Sequence, residues 1–134
     1  MSELNIKAAD ENLNSVIGFI DEILEQNECS MKAQMQIDVA VEEMFVNVAH
    51  YAYTPDTGNV LIECSVDDGV ASITLTDCGV QYDPLEKPDP DVTLSAEERQ
   101  IGGLGIFMVK KSMDEVYYEY KDGKNIFTMK KKLQ

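Results

Sequence analysis

Basic residues are scarce in this chain: eleven Lys and Arg stand against 25 Asp and Glu in 134 residues, a formal net charge of −14. Phosphate backbones are held by clustered Lys and Arg, so this balance argues against a direct nucleic-acid partner. The acidity serves either solubility or the docking of a basic protein partner. Cysteine is sparse too. Cys29, Cys64 and Cys78 are odd in number, far apart and without CxxC spacing. That excludes a metal cluster and a disulfide framework, and predicts reduced, buried thiols of a cytosolic protein. No apolar run approaches the roughly 18 residues of a membrane span, and the opening MSELNIKAAD has no apolar signal region. A soluble, cytoplasmic protein with no membrane partner is the expectation. Length allows one core, hence a single domain over 1–134.

What is present is periodic. ELNIKA (3–8) reads as a short strand. DENLNSVIGFIDEILEQNECS then places Leu13, Val16, Ile17, Ile20, Ile23 and Leu24 at helical spacing, with Asp10 or Asn12 as N-cap. A second helix is predicted from about Met31 to Tyr53, its stripe Ile37, Val41, Met44, Phe45 and Val48, stopped by TPDTG. NVLIECSV and VASITLTD alternate around DDG at 67–69, a hairpin. Cys78 to Gly103 carries three of the four prolines and no periodicity, the mark of a functional or mobile loop. LGIFMVKKSM is a third helix, and EVYYEY and NIFTMKKKL close the chain as a hairpin around KDGK. The order β–α–α–β–β–loop–α–β–β predicts an α+β fold: a two-layer α/β sandwich whose mixed, largely antiparallel sheet is covered by three helices.

Three constellations bear on chemistry. In VEEMFVNVAHYAY (41–53), Glu43 and Asn47 are one turn apart on one helix face, with His50 near it. A carboxylate beside a carboxamide can hold Mg²⁺ or orient a hydroxyl, though the same pair also suits a solvated face. In LTDCGVQYDP (75–84), Asp77 ends an apolar strand and Gly79 follows. A carboxylate there can accept from an exocyclic amine, and so select adenine, while the glycine admits a flat ring; an ordinary Asp-x-Gly turn has the same sequence. In RQIGGLGIFMVKKSMDEV (99–116), backbone N–H groups from Gly102 through Gly103 and Leu104 to Gly105 at a helix start suit an anion, or simply a tight turn. No GK[ST] follows, so this is not a Walker motif, and no strand immediately precedes it, so it is not a dinucleotide fingerprint.

In this order and spacing the three resemble the ATP-binding domain shared by gyrase, Hsp90, histidine kinases and MutL, and within it the bacterial anti-sigma factors that act as serine kinases. VEEMFVNVAHYAY resembles the N-box, DCGVQYDP the first glycine box, and GGLGIFMVKKSMDEVYYEYKDGKNIFTMKK the second box with its closing hairpin. The resemblance implies a Bergerat sandwich with ATP between the helical layer and a lid over about 78–103. By motif position it implies Glu43 as general base for a partner's hydroxyl, Asn47 as ligand of a phosphate-bridging Mg²⁺, Asp77 on the adenine amine and Gly79 along the ring. Gly102, Gly103, Leu104 and Gly105 would cradle the phosphates, with Arg99 on the γ-phosphate. Two positions depart. Gln81 stands where the family carries a second glycine, a change of pocket shape. The family's His-(Gly/Ala)-Tyr after the N-box reads Tyr51-Ala52-Tyr53 here, with His50 one position early.

The function implied is an ATP- and Mg²⁺-dependent anti-sigma factor that phosphorylates a serine or threonine of a small, STAS-type antagonist and sequesters a sigma factor. The alternative is a nucleotide-responsive binding module without phosphotransfer. Relatives dimerise through the helical layer or a sheet edge, so Leu13, Ile17 and Tyr118 are open to either homodimer contact or core packing.

Overall fold

The computed structural model describes residues 2–53, 58–86 and 103–134. Five strands form one sheet: β1 (Ser2–Lys7), β2 (Asn59–Asp67), β3 (Val70–Asp77), β4 (Glu115–Lys121) and β5 (Lys124–Lys132), in the spatial order β1-β2-β3-β5-β4. Three helices accompany it: α1 (Leu13–Gln26), α2 (Met31–Asn47) and α3 (Gly103–Ser112). The α+β two-layer sandwich stands as expected, with one difference. The sheet was expected to be mixed, but each strand pairing described is antiparallel. The crossover from β3 through α3 leaves β4 running in the direction of β3. β5 then turns back and inserts between them, so these two parallel strands never share hydrogen bonds.

Local chemistry explains the connections. Both hairpins turn on an Asp-Gly pair in the left-handed region, Asp68 (φ 53°) with Gly69 (φ 76°) and Asp122 (φ 55°) with Gly123 (φ 76°). That two-residue turn has the twist the flanking strands need. Alternation then buries Val60, Ile62 and Cys64 of β2, Ala71, Ile73 and Leu75 of β3, and Phe127 and Met129 of β5. Against them α1 sets Val16, Ile20 and Leu24, and α2 sets Ile37, Val41, Met44 and Phe45. Leu13, Ile17 and Tyr118 are half-buried against this core.

The helix ends differ from the reading above. Neither Asp10 nor Asn12 caps α1 with its side chain. Asn12 Nδ2 instead donates to the Lys7 carbonyl at 2.9 Å, and Asp10 reaches His50, because a 3₁₀ turn at Asp10–Asn12 precedes the helix. Ser30 caps α2, its hydroxyl accepting from Ala33 N at 3.1 Å. α2 ends at Asn47 and continues as a π turn, Val48–Ala52, rather than as α-helix to Tyr53. Its last carbonyl, of Ala52, accepts the Val80 N–H at 2.9 Å.

The expectation of three buried thiols also needs correction. Cys64 is buried, and burial pushes its thiol up to about 11. Cys29 is half-buried, but Cys78 is exposed, since it follows β3 where the chain leaves the sheet. No helix among the described residues is long and apolar enough to cross a membrane.

Candidate functional site

A cavity of about 40 Å³, open at its mouth, lies between the C-terminal end of α2 with its π turn and the end of the sheet where β3 leaves. Its walls are apolar, with Met44, Val48, Ala52, Leu75, Val80 and Phe127, and its polar groups are few: Asn47, Asp77 and Asn125, with the phenols of Tyr51, Tyr82 and Tyr118. Such a composition fits a flat heteroaromatic ring with polar edges.

Asp77 is 95% buried at the last position of β3, being only 5% exposed. Its Oδ1 accepts two hydrogen bonds, from Gly79 N at 2.9 Å and from Asn125 Nδ2 at 3.0 Å. Among the described residues no donor is placed on Oδ2. A carboxylate oxygen accepts hydrogen bonds, and a ligand amine would be a suitable donor to Oδ2. Asn47 shares the cavity, so the structure brings together two of the residues singled out from the sequence.

Gly79 is not among the described lining residues. It forms the Asp-x-Gly turn by donating to Asp77, and a Cβ added to it would collide with the carbonyl oxygen of Ala52. The absence of a side chain there admits the π turn of α2, which binds the next residue through the Val80 N–H. Glu43, half-buried, stands one turn before Asn47 and outside the cavity wall, with its carboxylate packed on the α-carbon of Gly105 in α3. Gly103 and Leu104 open α3, whose N-terminus therefore lies beside the Glu43 face of α2. Arg99, Gly102 and the 87–102 part of the expected lid lie outside the described residues.

His50 makes an exposed contact, Nε2 lying 2.7 Å from Asp10 Oδ2, which ties the π turn to the start of α1. Two residues to which the sequence reading gave no role join the site's frame. Tyr53 donates its hydroxyl proton to the Asn59 carbonyl at 2.7 Å and accepts from Cys78 N at 2.7 Å, linking the π turn to β2 and β3. Burial raises this phenol, keeping it a protonated donor. Asn125, 6% exposed, faces Asp77 across the β3–β5 ladder. A signal for Asn125 existed: it shares strand parity with Phe127 and Met129, so alternation places a polar residue on the buried face.

The chain belongs to the histidine kinase-like ATPase domain family, whose family model matches residues 6–131. Over 133 residues the chain is 29% identical to an anti-sigma F factor of Clostridium perfringens, covering 97% of this chain and 94% of that one. Over 106 residues it is 26% identical to the serine-protein kinase RsbW of Listeria monocytogenes, covering 75% of this chain and 68% of the relative. Among solved structures it is similar to the RsbU and RsbW domains of a Mycobacterium tuberculosis protein, with TM-score 0.70 and 16% identity over 99% of this chain. This chain spans 33% of that solved chain, and the likeness speaks for the fold.

Proposed function

We propose that residues 1–134 form one ATP- and Mg²⁺-binding domain that acts as an anti-sigma regulator and serine/threonine kinase on a small STAS-type antagonist. The observation that carries this reading is the Asp77 carboxylate. It is buried in an apolar cavity beside Asn47, one oxygen is held by two protein donors, and the other would accept from a ligand. An adenine amine is the matching donor. The relatives named anti-sigma factor and serine-protein kinase support the regulatory and catalytic parts.

Asn47 would hold Mg²⁺ through its carboxamide oxygen, as hard cations prefer oxygen ligands. The unpaired backbone N–H groups at the start of α3 suit phosphate oxygens, and Arg99 would add charge there. ATP, when bound, supplies the phosphoryl group. Glu43 would take the proton of the attacking hydroxyl, the role a general base plays in phosphoryl transfer. The net charge of −14 favours partners with basic docking faces, the sigma factor first.

The test is a thermal titration with Mg²⁺-ATP. Ligand at a hundred times its dissociation constant stabilises the wild type by about 2.7 kcal/mol, and Asp77→Asn loses that shift. Phosphate transfer to a cognate antagonist then separates kinase from binding module. Glu43→Gln abolishes transfer and leaves ATP affinity nearly intact. Wild type that binds ATP yet transfers nothing is a binding module alone.

A further inference from the structure

We propose that Asn125 is a positioning residue of this site: its carboxamide fixes the Asp77 carboxylate, clasps the 80–82 segment that walls the cavity, and thereby sets the preference for an amine-bearing base. The part concerning the base rests on the ATP reading above; the clasp does not.

The hydrogen bonds leave little freedom. Asn125 Nδ2 donates to Asp77 Oδ1 at 3.0 Å and to the Val80 carbonyl at 2.9 Å. Its Oδ1 accepts from Tyr82 N at 3.1 Å and from the Tyr118 hydroxyl at 2.5 Å. A carboxamide has two donor protons and two acceptor lone pairs, so all four are taken. The orientation of the amide is also settled by its neighbours, since a carbonyl needs a donor and a backbone N–H needs an acceptor. Asn125 therefore has nothing left to offer a ligand, although it lines the cavity.

What it does is aim its neighbours. Asp77 and Asn125 are directly opposite in the β3–β5 ladder, so sheet register sets their distance. With Oδ1 of Asp77 pinned by Asn125 and Gly79, its second oxygen has one direction left. The same carboxamide binds both Val80 and Tyr82, whose side chains wall the cavity. One side chain thus couples the order of that wall to the aim of the acceptor. Adenine presents an amine to a carboxylate, whereas guanine presents a carbonyl oxygen at the equivalent ring position and is repelled.

Asn125→Asp divides the two roles. It keeps an acceptor for Tyr82 and Tyr118 but exchanges the donor to Asp77 for a second carboxyl. The titratable groups around that carboxyl are Asp77 on β3, Tyr118 and Tyr120 on β4, Tyr82 and Asp83 in the loop, and Tyr51 on the π turn; Met44 and Val48 bring no charge. By calorimetry at pH 7.5, N125D weakens ATP binding at least tenfold and compresses the ATP:GTP affinity ratio. At pH 5.5 the introduced carboxyl takes up a proton, can donate again, and ATP affinity recovers, a recovery the wild type does not show.

Amide hydrogen exchange on the ligand-free protein reads the clasp separately. The Tyr82 amide is protected in the wild type and exchanges at least tenfold faster in N125A, relative to amides of the β2–β3 ladder; should N125A not fold, Asn125→Ser serves the same comparison. Unchanged Tyr82 exchange overturns the clasp. ATP binding by N125D equal to wild type at both pH values overturns the positioning role. Wild type that binds no adenine nucleotide removes the ATP reading and the base preference, and the exchange result still decides the clasp.

Discussion

The carboxylate of Glu43 rests on the α-carbon of Gly105, so closely that a Cβ added at residue 105 would collide with Oε2. Two helices remote in sequence meet at that point, and the glycine is what permits it. Gly105→Ala displaces a mobile carboxylate rather than backbone, and alanine in a helix is favoured over glycine by about 1 kcal/mol. Folding stability should therefore stay within about 1 kcal/mol of wild type. Phosphate transfer should fall at least tenfold, and by more than ATP affinity does. Denaturant unfolding and a transfer assay on the same preparations check both.

Gly79→Ala meets a harder obstacle. The added methyl would collide with the Ala52 carbonyl, which is backbone and already engaged with the Val80 N–H. Overpacking of this kind costs about 1–3 kcal/mol. Urea midpoints should drop accordingly, with no change of slope.

Stability should depend on pH through Asp38. Its carboxyl is pushed up to about 8, first by burial and then by Asp21, with Glu25 adding charge. Asp21 Oδ1 and Asp38 Oδ1 are both buried without a hydrogen-bond partner, so no donor offsets the charge of the Asp38 carboxylate there. A folded pKa above the unfolded one gives stability that is full below about 3.8 and is lost as pH rises through about 8. The melting temperature of the wild type should fall between pH 5 and pH 8, and that of Asp38→Asn should fall less, leaving the variant the more stable at pH 8.

His50 should matter little. Its contact with Asp10 lies at the surface, with the two side chains 47% and 61% exposed. Exposed ion pairs contribute about 0–1 kcal/mol. His50→Gln should melt within a few degrees of wild type and bind Mg²⁺-ATP with unchanged affinity.

Much of the fold was legible because the forces that form its elements act locally. The apolar spacing of Val16, Ile20 and Leu24, the alternation of Val60, Ile62 and Cys64, and the Asp-Gly pairs at both hairpins each state their structure within a few residues. Asn47 and Asp77 stand out in the sequence for the same reason, a polar group at a set point in an apolar pattern, and the structure places both in one cavity wall.

The tertiary structure decided the rest. Gly79 was read as room for a ring, and the fold uses that room for the Ala52 carbonyl; Gly105 was read as room for phosphate, and Glu43 lies against it. The insertion of β5 between β3 and β4 made the sheet antiparallel and set Asn125 opposite Asp77. By itself the sequence determined which segments are helix, strand and turn, and which residues carry reactive groups. It could not determine which of those groups meet, because that depends on strand register and helix packing between residues far apart in the chain. Such contacts are selected by the burial of a whole core rather than by any local pattern.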